Sequence, residues 1–255
     1  MDKEKLFEDF KKDCKGQNEI CGQGNPNADI LIIGKEPAGK EIEDTNSQEY
    51  LDYLKHKYEE CGAHCFVEPN HEVCYFEQKY PKCKEVRKRI ATLSETWKNY
   101  QKLINCIYGR PENKNINDFE SFAYTTELSS MPRKRSNYPK AKDGIIKRLQ
   151  YFQNSEFIKS FPVIILACGS YIKNKEDRQI DKYFHVKYDG DETGKYCFTP
   201  TIWFYTHHSD DGSKKQLVIH TRQFSTFYGK VDDLIKGTEK VTGMAEVIRK
   251  HLRIE

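Results

Sequence analysis

The feature of the sequence that most constrains its fold is a short apolar run at residues 28–33, which Gly34 ends abruptly. Runs of this length, rich in isoleucine and bounded by chain breakers, are typical of strands that are buried on both faces of a parallel sheet. Three further runs are each followed at once by polar residues, at 122–126, 161–167 and 216–219. The sequence therefore predicts a central, mainly parallel sheet of about four strands.

Helical patterns separate these runs. Apolar side chains recur at three- and four-residue spacing over residues 92–108, and similar patterns cover residues 4–13 and 141–152. Alternation of strands and helices predicts an α/β fold of three layers, α/β/α, in which helices cover both faces of the sheet. Residues 201–205 and 216–219 are interpreted as a hairpin around Asp210, Asp211 and Gly212. Ligands of such sheets bind where polar loops follow the strands.

Length and composition limit the class of protein to which this chain can belong. At 255 residues, with 37% hydrophobic, 13% aromatic and 32% charged residues, we expect a single domain over 1–255 with a Cys-rich insertion around 55–90. No segment reaches the roughly 18 consecutive apolar residues of a membrane span, so we expect a cytoplasmic monomer with no membrane partner. The net charge of +3 is too small to establish a nucleic-acid partner.

The loop after the first strand reads Gly34-Lys35-Glu36-Pro37-Ala38-Gly39 and places one carboxylate at the mouth of the sheet. A purely structural turn is the alternative interpretation. Residues 21–44, CGQGNPNADILIIGKEPAGKEIED, resemble the opening of family 4 of the uracil-DNA glycosylase superfamily, and Gly34, Pro37 and Glu41 match its pattern. The resemblance implies that Glu36 is the catalytic carboxylate and that the substrate-binding residues here are Gly34, Lys35, Pro37, Ala38 and Glu41.

The loop after the last strand reads His220-Thr221-Arg222-Gln223-Phe224. His220 matches the catalytic histidine that, in the family, donates to a pyrimidine oxygen of the departing base. The resemblance further implies that Phe224 is a wedge inserted into DNA and that Arg222 and Gln223 lie beside the phosphates. A core position for Phe224, packed with Phe227 and Tyr228, is the alternative.

The middle loop departs from the family, because Thr126 stands where an asparagine reads the edge of uracil. Glu127, beside it, offers an acceptor to an exocyclic amine, which favours cytosine- or adenine-like bases. Arg133 and Arg135 are further candidates for DNA contact. Uracil is therefore one of several candidate substrates.

Nine cysteines, without an export signal, favour reduced thiols or a metal site over a disulfide framework. The family's iron-sulfur cluster is not expected, since Cys14 and Cys21 are too far apart along the chain and Ser130 replaces a later ligand. A structural zinc at Cys61, Cys65, Cys74 and Cys83 is the alternative to free thiols. We expect no other cofactor, and we interpret His207 and His208 as loop polarity.

These features predict a DNA base-excision glycosylase that hydrolyses the N-glycosidic bond of a damaged or deaminated base flipped into the carboxyl edge of the sheet. One alternative is a degenerate glycosylase fold that binds nucleic acid or a nucleotide without cleavage. Another is an unrelated doubly wound protein whose Gly34 loop binds a phosphate.

Overall fold

The strands form one mixed sheet. The computed structural model describes residues 2–37, 42, 47–61, 95–112, 118–132, 138–174, 177–227 and 230–254. The strands in this part of the chain are β1 (Gln23–Gly24), β2 (Ile30–Gly34), β3 (Ala123–Glu127), β4 (Val163–Ala167), β5 (Val186–Tyr188), β6 (Lys195–Thr199), β7 (Ile202–Ser209) and β8 (Leu217–Thr221). Their order is β1-β3-β2-β4-β8-β7-β5, with β6 also paired to β7.

The centre of the sheet is parallel and its margins are antiparallel. Strands β3, β2, β4 and β8 run in the same direction, whereas β1 and β7 pair antiparallel to their neighbours, as do β5 and β6 with β7. The expectation of an α/β fold with parallel central strands is confirmed. The expected size was wrong, because the sheet of the described residues has eight strands and is mixed.

Helices pack on both faces. They are α1 (Lys3–Gly16), α2 (Gln48–Cys61), α3 (Glu95–Ile107), α4 (Tyr138–Asn154), α5 (Glu156–Lys159), α6 (Gln179–Phe184), α7 (Val231–Lys236) and α8 (Met244–Leu252). On one face, which we call the α4 face, side chains of α1, α4, α5 and α6 meet alternate strand residues such as Leu31 and Ile164. On the opposite α3 face, α3, α7 and α8 cover the intervening residues, such as Ile30 and Val163.

The central strands are buried along their whole length, which explains why their sequences show continuous apolar runs and not alternation. The predicted hairpin is present, and β7 pairs with β8 from Phe204↔Thr221 to His208↔Leu217. None of the described helices has the length and apolar character to cross a membrane.

Candidate functional site

The carboxyl ends of β3, β2, β4 and β8 lie side by side, because these four strands are parallel neighbours. We call the polar region at this edge the carboxyl-edge site. Its residues are Lys35 and Glu36 after β2, Glu127 at the end of β3, Gly169 after β4, and His220 and Arg222 at the end of β8. The fold thus brings together loops that are far apart in sequence, as expected of parallel neighbouring strands.

Gly34 permits a close approach between the first two loops. It pairs with Glu127 in the β2–β3 register, and the Glu127 side chain lies against the Gly34 backbone. A Cβ atom at position 34 would overlap Glu127 Oε2 and would stand 2.8 Å from Glu127 Cδ. The missing side chain therefore makes room for a carboxylate of the protein, whereas the family resemblance implies that Gly34 binds substrate.

Glu36 is the half-buried carboxylate of the site. Its Oε2 atom is buried and has no hydrogen-bond partner among the described residues. The preceding backbone is anchored to the loop after β3, because Gly34 O accepts from Leu128 N at 3.0 Å and Lys35 O accepts from Ser129 N at 2.8 Å. Burying a carboxylate oxygen without a donor costs free energy. Because the backbone before Glu36 is anchored, the side chain is kept in this costly position, which makes Glu36 a candidate for ligand binding.

Gly169 brings the loops after β2 and β8 together. It has a φ of +54°, and a Cβ there would stand 3.8 Å from Arg222 Cα and 4.0 Å from Lys35 Cε. The Lys35 ammonium lies 4.9 Å from the ring centroid of Tyr171, while Arg222 Nη1 donates to Thr201 O at 3.1 Å. Two half-exposed cations therefore flank Gly169, where an anionic ligand can contact them.

The His220 side chain is buried and forms a hydrogen bond within the protein. It is 4% exposed, and its Nε2 lies 2.8 Å from Gly169 O, which can only accept, so Nε2 carries the proton. Burial lowers the pKa of His220 from 6.5 to about 4; the bond to Gly169 opposes this shift and His207 adds to it. The imidazole is therefore neutral at pH 7. The expected donation of this proton to a departing base does not hold here, because the proton is already donated to the backbone.

Thr126 does not face the carboxyl-edge site. It is 3% exposed and projects to the α4 face, where its Oγ1 accepts from Arg148 Nη2 at 2.9 Å. The expectation that Thr126 contacts substrate was wrong, because successive strand residues point to opposite faces and this hydroxyl is used by the buried arginine. Glu127, the next residue, is the one at the site.

Arg148 joins three segments beneath the loop after β3, and we call this the Arg148 network. The side chain is fully buried; its Nε donates to Glu127 O at 2.6 Å and its Nη2 donates to Ile20 O at 2.6 Å. Nη1 lies 3.4 Å from Glu19 Oε2, which also accepts from the Ser130 hydroxyl. No pattern in the sequence predicts this network, since an arginine within an amphipathic helix normally indicates the solvent face.

Phe224 belongs to the core. Its ring is fully buried and makes edge contacts with Tyr100 at 5.2 Å and Phe227 at 5.8 Å between centroids. Its carbonyl accepts from Asn99 Nδ2 at 2.9 Å. The wedge interpretation was therefore wrong, because the ring is not at the surface. The alternative of a core position for Phe224 is confirmed for its packing with Phe227, while Tyr228 lies outside the described residues. Gln223, the residue before it, is half-exposed.

The remaining predicted residues lie partly within the described part of the chain and partly outside it. Pro37 is half-buried beside Glu36, whereas Ala38, Glu41, Arg133 and Arg135 lie outside the described residues, as do Cys65, Cys74 and Cys83. Cys61 is the last residue of α2. Within the described residues, no group of three or more His, Cys, Asp or Glu side chains is arranged to hold a metal ion.

The amino-terminal cysteines are both buried. Cys14 donates to the Tyr151 hydroxyl at 3.6 Å, and burial raises the pKa of its thiol to about 11. Cys21 is disulfide-bonded, so the expectation of reduced thiols was wrong at this position.

Each of the two histidines of β7 lies beside an aspartate. His207 Nδ1 lies 3.0 Å from Asp181 Oδ1, and His208 Nδ1 lies 2.8 Å from Asp189 Oδ2. Their interpretation as loop polarity was wrong, because both lie in a strand and each binds an aspartate. No spacing in the sequence indicated these pairs.

The chain was compared with protein-family models, with curated proteins and with solved structures, and no match was found. The resemblance to uracil-DNA glycosylases therefore stays a prediction.

Proposed function

We propose that the protein is a glycosylase-like hydrolase of DNA with a uracil-DNA glycosylase-like fold. In this proposal Glu36 acts as the general base when water cleaves the N-glycosidic bond of a flipped nucleotide. The observation that carries this proposal is the half-buried Glu36 carboxylate, whose Oε2 has no hydrogen-bond partner among the described residues. Its position after β2, at the edge where the four parallel strands end, supports the proposal as well.

The reaction needs one anion at the sugar. As the bond between C1′ and the base nitrogen breaks, positive charge develops on the sugar and the electron pair leaves with the base. The Glu36 carboxylate stabilises that charge and accepts a proton from the attacking water, whose oxygen forms the new bond to C1′. The base leaves as an anion and takes up a proton from solvent, and Glu36 then returns its own proton to solvent. Lys35 and Arg222, the half-exposed cations beside Gly169, contact phosphate groups of the DNA.

Glu127 supplies the base contact. Its side chain is half-buried and lies against Gly34, at the strand end next to that of Glu36. A carboxylate accepts hydrogen bonds, so it pairs with the exocyclic amine of a cytosine- or adenine-like base. Bases without such an amine are bound less well.

The proposal is tested by base release from oligonucleotides. Duplex and single strands carrying uracil, hypoxanthine or methylated cytosine and adenine are incubated with the protein, and alkaline cleavage then reveals abasic sites. We expect release from at least one amine-bearing base and a loss of 100-fold or more in Glu36→Gln, in line with the roughly 10²–10⁴-fold contribution of a general base. Glu192→Gln, at an exposed glutamate between β5 and β6, is the matched control and keeps the wild-type rate.

Binding without cleavage is the second candidate, and the hydrogen bond from His220 to Gly169 favours it. A neutral histidine that already donates its proton to the backbone does not stabilise a departing base. If no substrate releases a base, while DNA is retained at low salt and Arg222→Gln weakens retention, this candidate replaces the first. If neither release nor retention is observed, both are wrong.

A further inference from the structure

One margin of the sheet carries aromatic side chains on a face that is partly open to solvent. Trp203 and Tyr205 of β7 point to the same face, because side chains two residues apart in a strand share a face. This is the α4 face, since His207, the next residue in that series, lies opposite Val218 of the α4-face core. Both aromatic rings are half-exposed, and we call the pair the β7 platform.

The two faces of this margin are packed differently. On the α3 face, Tyr196 stacks on Phe204 with ring centroids 4.3 Å apart, and Tyr196 and Phe198 pack against the core. On the α4 face, the described core residues include Val186 of β5 and Val218 of β8 but no side chain of β6 or β7. An antiparallel strand with one solvated face normally carries polar residues there, so two large rings in this place indicate a binding surface.

The β7 platform is continuous with the carboxyl-edge site. The ring of His220 lies 5.2 Å from that of Trp203, in an edge contact, and 6.3 Å from that of Tyr205, between centroids. The two platform rings are themselves 4.9 Å apart. Because His220 Nε2 donates to Gly169 O, the platform rests against a side chain that is fixed to the turn after β4.

Cations lie at the Trp203 end of the platform. Arg222 Nη1 donates to Thr201 O at 3.1 Å, two residues before Trp203 in the chain. Lys35 is half-exposed on the other side of Gly169. A ligand that covers the Trp203 ring can therefore place negative charge beside these two side chains.

Beyond Tyr205 the surface changes character. The ring of Tyr188 lies 5.8 Å from that of Tyr205, and its hydroxyl donates to Asp191 Oδ1 at 2.9 Å. Lys195, opposite Tyr205 in the β6–β7 register, has its ammonium 3.9 Å from Asp191 Oδ2. The cation at this end is thus paired with a carboxylate, and an anionic ligand is favoured at the Trp203 end.

We propose that the β7 platform stacks an unpaired base of single-stranded DNA, whose phosphates contact Arg222 and Lys35. Every base has a flat face that stacks on aromatic rings, and a basic groove beside such rings binds the backbone of a single strand. A duplex keeps its base faces stacked inside the helix, so the platform favours a single strand. The assignment to DNA rests on the proposed function, and the platform adds a preference for unpaired strands.

Fluorescence anisotropy of a labelled oligothymidylate of about 15 nucleotides tests the proposal. Trp203→Leu and Tyr205→Leu should each raise the Kd by about 5- to 150-fold, the loss expected for one base–aromatic stack. Trp203→Phe, which keeps a ring, should retain most of the affinity. Tyr108→Leu is the matched control, because this half-buried tyrosine packs on the α3 face, 5.2 Å from the ring of Phe122; it should leave the Kd unchanged.

A measurement on the wild-type chain covers the case in which these variants do not fold. Cys197 is exposed and lies opposite Trp203 in the β6–β7 register, on the same face. Bound oligothymidylate should therefore slow its reaction with iodoacetamide, read by mass spectrometry of the peptides. Cys106, which packs against the α3-face core, is the internal control and should react at an unchanged rate. An unchanged rate at Cys197 in the presence of bound strand would overturn the proposal.

The outcomes separate this inference from the proposed function. If Arg222→Gln weakens binding of the strand while the platform variants do not, or if a duplex binds as tightly as the strand, the platform is wrong and the proposal of a DNA-binding protein stands. Release of a base from duplex DNA without binding of oligothymidylate has the same meaning. Tighter binding of oligouridylate would assign the platform to RNA and overturn the inference, and neither binding nor release would overturn both proposals.

Discussion

The Arg148 network and the carboxyl-edge site are neighbouring regions that treat buried polar atoms in opposite ways. Arg148 has no exposed side-chain surface, yet its Nε, Nη1 and Nη2 atoms all meet oxygen acceptors. In the carboxyl-edge site, by contrast, Glu36 Oε2 and His220 Nδ1 are buried without a partner among the described residues. The two regions meet at Glu127, whose carbonyl binds Arg148 while its side chain lies at the site.

This difference between the two regions indicates that one of them stabilises the fold and that the other is suited to binding a ligand. A buried charge whose hydrogen-bonding capacity is used stabilises one arrangement of the chain, and removing it leaves uncompensated partners. A buried acceptor without a donor lowers the stability of the folded chain and is available to a ligand that donates to it. The Arg148 network therefore holds the loop after β3 in place, while the carboxyl-edge site is the region that we propose to bind other molecules.

Arg148→Met should have the largest effect. It leaves Glu19 without its buried cation and removes the donors to Glu127 O and Ile20 O, so the free energy of unfolding should fall by about 3–5 kcal/mol. Urea denaturation measures it. Lys147→Met is the control: Lys147 contacts the same Glu19 at 3.4 Å but is 55% exposed, and its loss should cost less than about 1 kcal/mol. Equal effects would contradict the special role of Arg148.

His220 should give stability a dependence on pH. Its pKa is about 4 in the folded protein and 6.5 as the ordinary value, so between these values the unfolded chain binds a proton that the folded chain does not. Stability is therefore full above pH 6.5 and falls as the pH is lowered toward 4, by about 3 kcal/mol in total. Unfolding of the wild type and His220→Gln is compared at pH 7 and pH 5. An equal loss in both proteins would contradict the assignment.

Gly34→Ala should have a smaller effect, because a Cβ at position 34 meets the end of the Glu127 side chain. We expect a loss of about 1–3 kcal/mol from overpacking, and adding Glu127→Ala should recover part of it. Gly144→Ala is the control, because nothing lies within 4 Å of a Cβ there, and it should stabilise α4 by about 0.5–1 kcal/mol. Additive losses at Gly34 and Glu127 would show that the two are not in contact.

Glu36→Gln should have the smallest effect on stability. Glu36 Oε2 has no donor among the described residues, so the replacement breaks no hydrogen bond at this atom and the free energy of unfolding should not fall by more than about 0.5 kcal/mol. Urea denaturation again measures it. A loss of several kcal/mol would place Glu36 with the Arg148 network and remove it from the candidate site.

The sequence was most informative where burial is uniform along the chain. The runs at residues 28–33, 122–126, 161–167 and 216–219 predict the four parallel strands, because a strand covered on both faces must be apolar throughout. Polar residues directly after those runs also predict which loops share an edge of the sheet. The short margin strands β1, β5 and β6 were missed, since their side chains are partly exposed and their patterns are weak.

The roles of individual side chains were decided by the tertiary structure. Spacing along the chain indicates which face of a strand a residue takes relative to its neighbours, but not which group lies across from it. Thr126 therefore meets Arg148 and not a ligand, and Phe224 packs against Tyr100 and not against DNA. The amino-acid sequence determines the α/β class and the edge where the loops gather. Only the folded chain, by bringing distant partners within hydrogen-bond distance, decides which polar atoms are satisfied internally and which remain for a ligand.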